Sequence, residues 1–152
     1  MSLGQGTWTA PDVPAFADGV ARVVELAERG AGEVVVMDAV GRGAADGARL
    51  EALFTEARAE EWAEFLADCG KFEAEIDKEI GKGKLTVAEL EEEEQSLERL
   101  RRWYRDVKVR DVFGAPAAAE AEQRLAVCVQ RLEYYTERVF RAVHGLDGTA
   151  GT

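Results

Sequence analysis

The sequence predicts an α+β protein that is mainly helical: a truncated ferredoxin-like β-region followed by a three-helix antiparallel bundle. Three observations predict it. From about residue 46 onward, apolar residues recur at three-four spacing in three long stretches. Those stretches are separated by short breaks rich in glycine or proline, which join antiparallel neighbours. Only two short stretches ahead of them, residues 7–10 and 33–38, read as strands.

The N-terminal elements come first. Gly4-Gln5-Gly6 ahead of Thr7-Trp8-Thr9 reads as the turn and second strand of a hairpin, with Ser2 and Leu3 left of its first strand. Asp12 and Pro14 mark a helix start. Phe16, Val20, Val23 and Ala27 then repeat at helical spacing until Gly30 stops the helix. The run EVVVMD, residues 33–38, lies between glycines and reads as a buried strand. Residues 41–47 are a loop or a fraying helix start. Together, residues 1–43 form a small β-α-β region.

The bundle spans residues 44–144. In its first helix Trp62, Phe65, Cys69, Phe72 and Ile76 keep a buried stripe, and Gly70 is a point where the helix bends or another backbone approaches. Gly81-Lys82-Gly83-Lys84 is a turn. Thr86 followed by Glu89 is a capping box that opens the central helix, the element around which the rest is organised. Its acids, Glu89 and Glu91 to Glu94, precede its bases, Arg99, Arg101, Arg102, Arg105, Lys108 and Arg110, in the order the helix macrodipole favours. Leu90, Leu97, Leu100, Tyr104 and Val107 form its seam, and it ends near Gly114 and Pro116. The last helix carries Leu125, Cys128, Leu132, Tyr135, Val139 and Ala142 on its seam. Residues 145–152 read as a flexible tail.

Composition excludes several classes. The chain has 19 basic and 30 acidic residues, a net charge of −11, which disfavours broad contact with DNA while leaving room for a local basic patch. No apolar run is long enough for a membrane span. Two cysteines, Cys69 and Cys128, are too few for a secreted disulfide framework, so a cytoplasmic protein is expected.

Whole segments resemble a known family. EEWAEFLADCGKFEAEIDKEI, LTVAELEEEEQSLERLRRWYRDVKVRDVFGAP and the final helix are similar to the N-terminal domain of the chromate-resistance regulator family, ChrB. SLGQGTWTAPDVPAF resembles that domain's second and third strands. The resemblance implies a regulatory protein of the chromate, oxyanion or oxidative stress response that acts by binding DNA or protein. It also implies an upstream strand and helix and a C-terminal sensory domain, and neither has a counterpart in this sequence. In a ferredoxin-like sheet the absent strand lies in the middle, so residues 7–10 and 34–37 need a new partner, either each other or a strand from a second copy. A homodimer is the expected repair.

The candidate binding residues are Arg101, Arg105 and Lys108, on one helical face, with Trp103 beside them, and Glu93. The cations suit an oxyanion, a phosphate or an acidic partner, and equally a solvated face paired with neighbouring glutamates. Glu93 falls on the seam where an apolar residue is expected. It is either a buried charge needing a partner such as Arg58, or a carboxylate wetted at the end of the bundle. Asp111 falls on the same seam. No metal site is expected, because the chain's one histidine, His144, has Arg141 where a Glu-x-x-His pair needs its glutamate. No cofactor motif and no catalytic signature is present, so an enzyme is not expected. The alternative to a regulator is a small-molecule-binding or catalytic protein with a pocket between the bundle and the β-region.

Overall fold

The computed structural model describes residues 2–4 and 6–145, the last with side chains throughout. Three helices make the body: α2, Ala44–Lys82; α3, Val87–Arg110; and α4, Ala118–Val143. Each packs on the other two, as the spacing predicts. Trp62, Phe65, Cys69, Phe72 and Ile76 of α2 meet Leu97, Leu100 and Val107 of α3 and Cys128, Leu132, Tyr135 and Val139 of α4 in one core. Leu90 and Tyr104 are only partly buried at its edge, and Ala142 is exposed where α4 runs out of neighbours.

The helix ends follow their residue types. Gly83 takes φ 69°, and the amides of Gly83 and Lys84 donate to Ile80 and Glu79, closing α2 with the left-handed cap that glycine favours. Thr86 caps α3, its Oγ1 accepting from the Glu89 amide at 3.3 Å. The Glu89 carboxylate takes the Lys84 ammonium at 3.2 Å. α2 runs on through Gly70, where the nearest atom to an added Cβ is Arg124 Nη2 at 3.9 Å, so no backbone approaches there.

The N-terminal part departs from expectation. A hairpin forms between β1, Ser2–Gly4, and β2, Thr7–Trp8, turning at Gly6 with φ 79°. Helix α1, Pro14–Arg29, follows and touches α3. Residues 33–38 are not a strand, and among the described residues a two-stranded hairpin is the whole of the sheet, so the expected ferredoxin-like β-region is not supported. A strand exists only by pairing. From residue 33 to 42 the backbone makes no backbone hydrogen bond among the described residues. Val35 and Met37, expected inside, are 80% and 81% exposed. None of the α1 stripe of Phe16, Val20, Val23 and Ala27 is fully buried. The expected tail over residues 146–152 lies outside the described residues. Among the described residues, no helix is long and apolar enough to cross a membrane.

Candidate functional site

The central helix presents two different faces. Outward, Arg105 Nη2 lies 3.2 Å and Arg101 Nη1 3.9 Å from the carboxylate of Glu98, one residue type of the acidic half answering the basic half. Lys108 is exposed and makes no ion pair among the described residues. Trp103 does not join these cations. Its ring packs edge-on against Phe65 at 5.6 Å, on the side facing the core.

Arg101 also borders an open groove of about 330 Å³ between α3 and α4, with Glu94, Leu97, Val129, Leu132, Glu133 and Thr136. This groove is on the bundle surface, away from the β-hairpin, and neither Arg105 nor Glu93 lines it. With two carboxylates against one guanidinium, the groove is a poor host for an anion.

Glu93 is buried, 8% exposed, so the wetted reading does not hold. Arg58 does not reach it. Arg58 Nη2 instead bonds Glu61 at 3.3 Å, one turn along α2. The two ends of the bundle explain this: Arg58 precedes the first core residue of α2, whereas Glu93 lies at the start of α3, beside the last turns of α2. Its neighbours there are acidic. Burial first, then the carboxylates of Glu75, Glu79, Glu89 and Glu92, hold the Glu93 carboxyl above the usual range.

Glu79 was not anticipated, although the α2 spacing carried one step past Ile76 lands on it. It is 3% exposed and surrounded by lysines, with Lys84 Nζ at 3.6 Å, Lys82 at 3.9 Å and Lys78 at 4.0 Å. Tyr135 closes the same end by donating its hydroxyl to Lys84 O at 2.6 Å.

A raised carboxyl pKa means that the folded chain holds the Glu93 proton more tightly than the unfolded chain does. Stability is therefore greatest while the carboxyl is protonated and falls as pH rises through the carboxylate range to the folded value. Glu93→Gln is expected to raise the melting temperature at neutral pH by about 2–4 °C, the shift ~1 kcal/mol makes in a chain of this size. At pH 4 the gain should shrink. Calorimetry at the two pH values checks this, and an equal gain at both would assign it to packing instead.

At the opposite end the loop after α3 is tied down. Asp111 accepts from Trp62 Nε1 at 2.9 Å and from the Ala115 amide at 2.8 Å. Arg110 Nη1 reaches Glu61 at 2.8 Å, and Phe113 stacks on Phe54. Asp111 thus sits on the seam because two buried donors need it, which the spacing alone does not reveal. His144 caps α4, its Nδ1 2.8 Å from Phe140 O. Among the described residues, no three His, Cys, Asp or Glu side chains gather as a metal site.

These features are those of a helical scaffold with charge organised along one helix. Residues 1–146 match the family model described as "Protein ChrB, N-terminal". The chain belongs to this family. It is a ChrB-like protein, related to chromate resistance. No curated protein matches the chain. No solved structure matches it either.

Proposed function

We propose that this ChrB-like chain serves the chromate-resistance response as a regulatory protein acting through protein association, and that its first partner is a second copy of itself. The observation that carries the reading is the uncovered apolar surface of the N-terminal third. Val20, Val23 and Leu26 of α1, the segment from Val34 to Met37, Val40, and Leu50 and Leu53 of α2 are all partly or largely exposed. With Trp8 they expose on the order of 1,000 Å² per copy, against ~800 Å² per partner in a standard stable interface.

The occupant has to supply a backbone edge as well as apolar area. A second copy brings both. The hairpin has open edges and carries Trp8, 71% exposed, and residues 6–10 are uncharged. Pairing two EVVVMD segments antiparallel in full register sets Glu33 against Asp38, which opposes that arrangement. Pairing residues 34–37 of one copy with the hairpin edge of the other meets no such repulsion. Repeated about a two-fold axis, it closes the assembly. The net charge of −11 and the pairing of Arg101 and Arg105 with Glu98 weigh against DNA as the first partner.

Light scattering coupled to gel filtration tests the reading. The wild-type chain should elute as a dimer, and Val35→Lys/Met37→Lys as a monomer of unchanged helicity, since both side chains are exposed in the single chain. A monomeric wild type across the concentration series defeats the proposal. An anisotropy titration against the gene's upstream DNA at two salt concentrations covers the other mode. Tight, salt-sensitive binding lost in Arg101→Ala/Arg105→Ala would move the function to direct DNA contact.

A further inference from the structure

Two thiols meet in the middle of the bundle. Cys69 of α2 and Cys128 of α4 stand 59 residues apart in sequence, and both are 0% exposed. Cys128 Sγ donates to the Cys69 carbonyl oxygen at 3.7 Å, which sets it directly against the opposite helix. The neighbouring Cys128 thiol, followed by burial, holds the Cys69 thiol well above its ordinary range. The Cys69 thiol in turn lowers that of Cys128.

Near the pair lies an interhelical ion pair. Arg124, one turn before Cys128 on α4, bonds Glu73, one turn after Cys69 on α2, at 2.8 Å. Position 70 is glycine, and a Cβ there would meet only the Arg124 guanidinium. Between sulfur and solvent, α2 therefore offers no side chain of its own at position 70. The Arg124–Glu73 ion pair, its arginine side chain 40% exposed, is what a side chain at position 70 would meet.

We propose that Cys69 and Cys128 are a dithiol modification site, closed to an α2–α4 disulfide by a small neutral two-electron oxidant of the peroxide class. The reaction balances with hydrogen peroxide alone. The Cys128 sulfur, as thiolate, attacks one peroxide oxygen and breaks the O–O bond, and the departing hydroxide takes up the thiol proton as water. The Cys69 sulfur then displaces hydroxide from the resulting sulfenic acid, forming the S–S bond, and its own proton leaves with that hydroxide as a second water. Two thiols are oxidised by two electrons in all, and the two peroxide oxygens are reduced.

The partner thiol is what makes this outcome specific. A lone buried thiol oxidised to sulfenic acid waits for a second thiol or is oxidised further. Here the second thiol stands on the facing helix, with Cys128 Sγ 3.7 Å from the Cys69 carbonyl oxygen, so the product is an intramolecular cross-link. A small neutral oxidant reaches the pair by displacing Arg124, which leaves the helices in place. Charged or bulky oxidants meet the packed core and the acidic surface instead.

The test treats the folded wild-type chain with hydrogen peroxide, quenches with a maleimide, and reads intact mass and non-reduced peptides. The expected product has lost two hydrogens, takes no maleimide after unfolding, and yields one peptide pair joining Cys69 to Cys128. Its urea midpoint lies above that of the reduced chain, because the closed loop constrains the unfolded state. Gly70→Val, which places a branched side chain against the Arg124 guanidinium, should slow the closure. Oxidation to sulfinic or sulfonic acid at either cysteine, a disulfide between chains, or closure only after unfolding in urea would overturn the proposal. The wild-type mass map decides by itself, so the result stands even where Cys69→Ala or Cys128→Ala weakens the fold.

Discussion

Trp62→Ala is expected to destabilise the protein by about 3–5 kcal/mol, the range found when a fully buried large aromatic is truncated. Trp62 is the largest fully buried side chain. Its ring packs on Phe65 at 5.8 Å, near-perpendicular at 82°, and on Tyr104 at 5.4 Å, so the cavity opens where α2 and α3 meet. The substitution also removes the indole donor from Asp111. Urea denaturation followed by far-ultraviolet circular dichroism reads the loss as a lowered midpoint. Trp62→Phe separates the two contributions. It keeps most of the aromatic volume while losing the N–H and part of the bicyclic ring, so its cost should fall to about 1–3 kcal/mol. An alanine variant no weaker than the phenylalanine variant would mean that the core closes over the gap.

Asp111→Ala is expected to cost about 3 kcal/mol, a large effect for a loop residue, because a charged acceptor serves two donors at once. The donors are Trp62 Nε1 and the amide of Ala115, and Ala115 is itself buried. Removing the carboxylate leaves both donors facing apolar surroundings and frees the chain between α3 and α4. Hydrogen exchange at Ala115 should accelerate before global unfolding. In a double-mutant cycle with Trp62→Phe, Asp111→Ala should lose less in the phenylalanine background, the two groups being in direct contact. Additive costs would show that Asp111 acts only through the loop amide.

These two sites also show where sequence reading succeeds and where it stops. Trp62 was legible as core because Phe65, Cys69, Phe72 and Ile76 continue its stripe, and one apolar face at helical spacing has to be covered. Asp111 was legible only as an oddity on a seam. That an indole from a residue 49 positions away supplies its hydrogen bond is a matter of how α2 and α3 align. Glu93 divides in the same way. Its seam position left burial and wetting both open, its surroundings did not follow from spacing, and Arg58, the partner considered, lies at the other end of the bundle, bound to Glu61.

The cation face behaves likewise. Spacings of four and three put Arg101, Arg105 and Lys108 on one side of α3, which helix geometry alone guarantees. Whether that side is offered to a ligand depends on what else lies there. Glu98 takes up both arginines, and Trp103 turns inward to Phe65.

By itself, the sequence determined the three long helices, the cap at Thr86, the turn over residues 81–84, most of the core stripe and the family, because helical periodicity and end signals are local. Residues 33–38 were beyond its reach. Their apolar run meets the requirement for a strand, yet a strand is made by a partner's hydrogen bonds, and the single folded chain provides none among the described residues. Tertiary structure alone decided the other long-range relations: Glu79 enclosed by three lysines, Asp111 held under Trp62, and two cysteines from separate helices brought into contact. Each depends on the rotation and height of one helix against another, which the packing of all three helices sets together.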